Sequence, residues 1–157
     1  MVKPIPDGHH SITPTITVKG ASSAIEFYKK AFGAQELSRF PGPDGITIMH
    51  AEIKIGDSLI MLNDEYPAMG CKSPQSVGGA TGGLFLYVQD ADDTFNKAVS
   101  AGAKPQMPMM DAFWGDRFGS IIDPYGHVWS IATRKKDMTH DELRKAGEEF
   151  MKQMSQH

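Results

Sequence analysis

The chain is expected to be an α+β protein, with two tandem βαβββ modules forming a curved mixed sheet around a cleft and one C-terminal helix. Three observations predict this: a drifted internal repeat, the same order of strand and helix signals in both copies, and an amphipathic, capped segment near the C-terminus. The repeat sets "TVKGASSAIEFYKKAFGA" (17–34) against "YVQDADDTFNKAVSAGA" (87–103). Val18 then falls on Val88, Ala21 on Ala91, Ile25 on Phe95 and Ala31 on Ala101, an offset of 70 residues. A duplicated supersecondary unit of about fifty residues can bury little surface by itself, so two copies are expected to pack as one domain over residues 1–157.

Each copy opens with a β-rich run, "ITPTITV" or "GLFLYV", which leads through a polar turn into a helix with apolar residues spaced by three and four. Gly33 and Gly102 suit the left-handed position that ends such a helix. Further strands follow, "ITIMHAEIKIGDSLIML" in the first copy and "DRFGSIIDPYGHVWSIAT" in the second, turning at "IGDS" and "DPYG". Module one therefore spans 11–64 and module two 83–135, joined by a Gly-, Pro- and Ser-rich linker at 65–82. At 139–154, Thr139 and Glu142 have capping-box spacing, and Leu143, Ala146, Phe150, Met151 and Met154 form one apolar stripe. That stripe needs a cover, either its own sheet or a second subunit, so a homodimer is expected.

Bulk properties exclude several functions. The chain has 157 residues, 40% of them apolar, and a formal net charge of −3 with no basic stripe, which argues against a nucleic-acid partner. The longest apolar run, "LFLYV", is far too short to span a bilayer, and "MVKPIPDGHH" lacks the apolar core of a signal peptide. A cytoplasmic protein without a membrane partner is expected. Cys71 is the single cysteine, so no internal disulfide forms, and it has no activating neighbour in sequence.

Two segments carry chemistry. In "MHAEIK", residues two apart share a face, so His50, Glu52 and Lys54 make a polar row opposite Ala51, Ile53 and Ile55. His50 and Glu52 are candidates for a general acid–base pair, for substrate binding, for two ligands of a displaced metal site, or simply for a solvated strand face. In "FWGDRFGSIIDPYGHVWSIATR" (113–134), Trp114 offers a flat stacking surface and Arg117 a planar fork for an anionic or planar group. Asp123 reads as a turn-former and Trp129 as core. His9, His10, His140 and His157 lie near the chain ends and read as exposed, unless the N-terminal strand swings against a partner's cleft.

The combination of "AIEFYKKAFGA" with "FWGDRFGSIIDPYGHVWSI" in two βαβββ modules resembles the vicinal oxygen chelate superfamily over residues 11–135, and most of all its PhnB-like branch. That superfamily includes glyoxalases, extradiol dioxygenases, fosfomycin-resistance enzymes and bleomycin-binding proteins. The resemblance implies a U-shaped ligand cleft, often completed across a dimer, and four metal-ligand positions on the first and last strands of each module. Those positions fall on Thr13, Met61, Gly83 and Ser130, none of which offers the imidazole or carboxylate that Fe, Ni, Zn or Mn prefers. The expected cofactor is therefore none, with a divalent metal possible only at a non-standard site.

Bleomycin-binding relatives lack metal at the usual position and use a similar Trp-Gly-x-Arg segment in a groove wall. The resemblance thus implies a small-molecule-binding, sequestering protein for an apolar or aromatic ligand lined by Trp114, Arg117, Met61, Ser130 and Thr13. Met107, Met109 and Met110 would add to an adaptable wall. The alternative is a glyoxalase-type lyase or isomerase, or a dioxygenase, using His50 and Glu52 with or without a relocated metal.

Overall fold

The computed structural model describes residues 1–156. His157, read above as a terminal histidine, lies outside the described residues. The element order repeats as the sequence pattern predicts. Module one contains β1 (Thr15–Val18), α1 (Ala21–Phe32), β2 (Gln35–Pro41), β3 (Ile48–Ile55) and β4 (Ser58–Asp64). After α2 (Pro74–Val77) comes module two, with β5 (Gly83–Tyr87), α3 (Ala91–Ser100), β6 (Lys104–Asp111), β7 (Asp116–Ile122) and β8 (Val128–Arg134). The chain continues into α4 (His140–Met154).

The expected mixed sheet is present as two open four-stranded sheets, one per module, ordered β1-β4-β3-β2 and β5-β8-β7-β6. In each, the first strand runs parallel to the last and the other pairs are antiparallel. β1 and β5 are therefore free edges. They are not hydrogen-bonded to each other, and His127 Nε2 already lies 2.8 Å from the Thr17 carbonyl of β1.

The helices explain how the modules join. Ala21, Ala24 and Ala31 of α1 and Ala91 and Ala98 of α3 are buried, and such short side chains let the two helices pack against each other. One apolar cluster contains Val18, Ile25, Ile53 and Leu62 of module one with Phe95, Ile121, Trp129 and Ile131 of module two. Trp129, 1% exposed, stacks obliquely on Tyr28 and Phe32 of α1 at 5.4 and 4.6 Å. Its core placement matches the reading from sequence.

The "DPYG" turn is more than a reversal. Gly126 takes φ of 91°, as a glycine there allows. Asp123 is buried and accepts four hydrogen bonds, from Tyr125 N and His127 N at Oδ1 and from Tyr28 Oη and Trp129 Nε1 at Oδ2. A turn-forming aspartate thus also ties α1 to β8. Burial, and next the Asp123 carboxylate, push the Tyr28 hydroxyl pKa well above its ordinary range, so it remains a donor.

The segment read as the linker between modules carries its own local structure. Tyr66 and Cys71 exchange backbone hydrogen bonds around a 3-10 turn at Pro67–Met69, and Ser73 caps α2. Glu65 accepts from both the backbone N–H and the hydroxyl of Ser73, at 2.8 and 2.6 Å. Chiefly through that hydroxyl, the Glu65 pKa falls from 4.5 to about 2. Because folding lowers this pKa, the clasp contributes its stability above about pH 4.5 and loses it as pH falls toward 2. Acid unfolding should accordingly show a flatter pH dependence in Glu65→Gln across that window; superimposable curves would contradict the clasp.

The capping box at Thr139 and Glu142 forms as read from sequence. α4 rests on the body through Phe150 against Phe113, ring centres 5.1 Å apart, while Met151 and Met154 stay exposed.

Candidate functional site

Strand alternation builds the first half of the candidate site. Ala51, Ile53 and Ile55 of β3 point into the core, so His50, Glu52 and Lys54 point away from it. Glu52 lies opposite Met61 of β4, and Met61 lies opposite Thr15 of β1. The N-terminal segment folds over this face. It encloses, with Glu52, Met61 and Thr13, a cavity of about 430 Å³ that also meets His9 and His10.

Glu52 Oε1 is 3.5 Å from His50 Nε2 and also 3.5 Å from His9 Nε2. His9 Nδ1 is buried and has no hydrogen-bond partner. The structure therefore brings Thr13, Met61, His50 and Glu52 to one face and adds His9, which reads from sequence only as a chain-end residue. The signal that could have found it is its place two residues before "SITPTITV", within reach of a strand face.

The second half is aromatic. Phe85 of β5 lies opposite Ser130 of β8, which in turn lies opposite Ser120 of β7. Two residues further along β7 and β8, Phe118 lies opposite Ala132. Phe85 stacks on Phe118 at 5.9 Å, Tyr87 lies 5.0 Å from Phe85, and Trp114 meets Phe118 edge-on at 5.1 Å. Phe118 is buried, yet Phe85 and Tyr87 are 51% and 60% exposed, so the face presents usable ring surface. At its base Asp116 Oδ2 accepts from Tyr87 Oη and from Trp114 Nε1, each at 2.9 Å. The bond to Asp116 is the main cause of a raised Tyr87 pKa.

Trp114 and Ser130 thus belong to one wall, with Phe85, Tyr87, Phe118 and Asp116 added by the structure. A signal for the added residues is present: aromatic residues at 85 and 87 share a strand face, and an acid follows Trp114 by two positions. Met110 packs into this aromatic cluster, whereas Met109 packs on the main core, so the expected methionine wall is divided.

Arg117 departs from its expected role as a free fork. It alternates with Phe118, which sends its side chain toward α3, where Nε and Nη2 each donate to Asp92 at 2.9 Å and Nη1 reaches Asp111 at 3.4 Å. The Asp92 carboxylate raises the arginine pKa further, and the arginine lowers that of Asp92. The planar donor edge is filled by carboxylate from its own chain. The cause is long-range: Asp92 is 25 residues away and becomes a partner only when α3 lies across β7.

Between the two halves, β1 and the start of β5 flank a cavity of about 440 Å³, closed on one side by the ordered linker. Gly83 lies here. The four positions that the sequence resemblance assigns to metal ligands, Thr13, Met61, Gly83 and Ser130, supply a hydroxyl, a thioether, no side chain and a hydroxyl. This donor set does not fit a borderline transition ion. Among the described residues, no three His, Cys, Asp or Glu side chains are arranged to hold a metal. Among the described residues no helix is long and apolar enough to cross a membrane.

Comparison with known proteins agrees with this architecture. An uncharacterized protein of Mycobacterium bovis is 43% identical over 139 residues, covering 87% of this chain and 91% of that protein. The crystal structure of TioX from Micromonospora sp. ML1 superposes with a TM-score of 0.61 at 24% identity, covering 83% of this chain and all of that one. The PhnB protein from Bacillus cereus gives a TM-score of 0.62 at 19% identity over 79% of this chain and 99% of its own. At those identities the two structures support the fold. The family model for the glyoxalase/bleomycin resistance protein/dioxygenase superfamily matches residues 9–131, so with its duplicated βαβββ modules this chain belongs to that superfamily.

Proposed function

We propose that this protein is a metal-independent binder that sequesters a small apolar or aromatic compound on its aromatic wall, working in the cytoplasm as a homodimer. The observation that carries the reading is the half-exposed pair Phe85 and Tyr87 set against Phe118 and Trp114, in a fold whose usual metal positions hold no strong donor. Stacked aromatic surface of this kind binds flat apolar molecules without charge or metal. The dimer rests on the exposed Met151 and Met154 of α4, and sedimentation of the purified chain tests it.

Ligand binding is tested by titrating the protein with a panel of flat aromatic and glycopeptide compounds while following tryptophan fluorescence. Trp129 is sealed in the core, so a saturable change reports on Trp114. By calorimetry, Trp114→Ala should weaken the best compound about tenfold or more, the value of one good aromatic contact. No response to any compound would overturn the reading.

A second reading, a lyase, isomerase or dioxygenase of the glyoxalase type, is favoured by one observation: Glu52 Oε1 stands between two imidazoles, His9 and His50. A carboxylate in that position can orient an imidazole for proton transfer. Under this reading Glu52→Ala and His50→Ala each abolish turnover of a substrate found by screening; unchanged turnover in both removes it.

A further inference from the structure

Two aspartates in this chain hold the same pair of side-chain donors, and they differ in one respect. At Asp123 a tyrosine hydroxyl and a tryptophan N–H donate to Oδ2, and two backbone N–H groups donate to Oδ1. At Asp116 a tyrosine hydroxyl and a tryptophan N–H likewise donate to Oδ2, from Tyr87 and Trp114. Neither of these donors reaches Oδ1. Asp123 is a closed structural node, whereas Asp116 keeps one carboxylate oxygen for another donor.

Asp116 is only 4% exposed, so its charge is largely removed from water. Its cross-strand partner Arg134 could have neutralised it, but the Arg134 guanidinium turns out to Asp137 at 2.8 Å. Both of the side-chain donors to Asp116 are neutral. A buried carboxylate whose direct hydrogen-bond donors are all neutral, with the nearby Arg134 charge shared with Asp137, favours a further cation. The surrounding groups favour one too: the faces of Phe85, Tyr87, Phe118 and Trp114 carry the negative side of the aromatic quadrupole. Donation of the Tyr87 hydroxyl to a carboxylate makes that ring more electron-rich.

We propose that the aromatic wall selects organic ammonium ions that carry an N–H on a flat apolar body, with the N–H donating to Asp116 Oδ1 and the body lying on Phe85 and Tyr87. This rests on the ligand-binding reading above and adds the charge of the ligand to it. A charge-assisted hydrogen bond together with a cation–aromatic contact should favour the cation by about tenfold or more over a neutral body of the same shape.

The test uses two isosteric probes, 2-naphthylmethylammonium and neutral 2-naphthylmethanol, titrated calorimetrically into the full chain at low and high sodium chloride. The expected result is tighter binding of the ammonium by about tenfold, a preference that persists at high salt because a buried pair is screened little, with the affinity of the alcohol nearly constant. In Asp116→Asn, checked for folding by circular dichroism, the preference for the ammonium over the alcohol should vanish, and the ratio of the two affinities is the quantity read because Asp116 also holds Tyr87 and Trp114; the comparison of the two probes on the unaltered protein decides the matter if that variant does not fold. Equal affinity of the two probes at every salt concentration overturns this inference alone, leaving the aromatic binder standing. If neither probe nor any compound of the wider panel binds, the ligand-binding reading falls and takes this inference with it. Loss of ammonium binding as protein concentration rises would show that a second copy covers the wall, and would also overturn it.

Discussion

Replacing Asp123 by alanine should cost about 3–5 kcal/mol of folding stability, measured as the shift in urea unfolding, because it leaves four donors without their acceptor in a buried place. Against a typical total of about 5–15 kcal/mol, such a loss brings the chain near unfolding at ordinary temperature. Tyr28→Phe removes a single one of these bonds and should cost about 1 kcal/mol. The contrast separates the network from simple burial. If Asp123→Ala cost no more than Tyr28→Phe, Asp123 would be a turn residue and nothing else, and α1 would be held to β8 by apolar packing alone.

The second large effect is expected at Gly119, in the middle of β7. A Cβ added there would stand 2.5 Å from Met109 Sδ, 3.2 Å from the Met107 carbonyl oxygen and 3.3 Å from Met109 Cα. The sulfur can move, but the Met107 backbone is tied to Ser120 of β7 and holds its carbonyl in place. Gly119→Val should therefore destabilise by roughly 1–3 kcal/mol or more, as overpacked cores do. Met109→Ala added to it should recover only part of the loss, because the backbone approach remains. Full recovery would mean that the thioether alone sets the limit.

The backbone plan was legible in the sequence because it rests on local signals. Periodicity placed α1 and α3, "DPYG" placed the β7–β8 turn, and Thr139 with Glu142 placed the start of α4. Trp129 was legible as core because alternation on β8 sets it opposite Ser130. What escaped depends on contacts far apart in the chain. Arg117 looked available until α3 brought Asp92 to it. The linker read only as the boundary between modules because nothing near Glu65 announces that Ser73 will return to its carboxylate. The aromatic wall was visible as Trp114 alone, since Phe85 and Tyr87 read as one more apolar run until β5 is paired with β8. His9 acquired a role only when the N-terminal segment folded across β3 and β4.

The central claim is that the wall of module two binds its ligand without a metal. The most direct measurement is calorimetric titration of the best-binding aromatic compound before and after exhaustive chelation and dialysis. Unchanged affinity and stoichiometry are predicted, together with a loss of about tenfold or more in Trp114→Ala. Binding that disappears on chelation, and returns when zinc, nickel, iron or manganese is added back, would contradict the account.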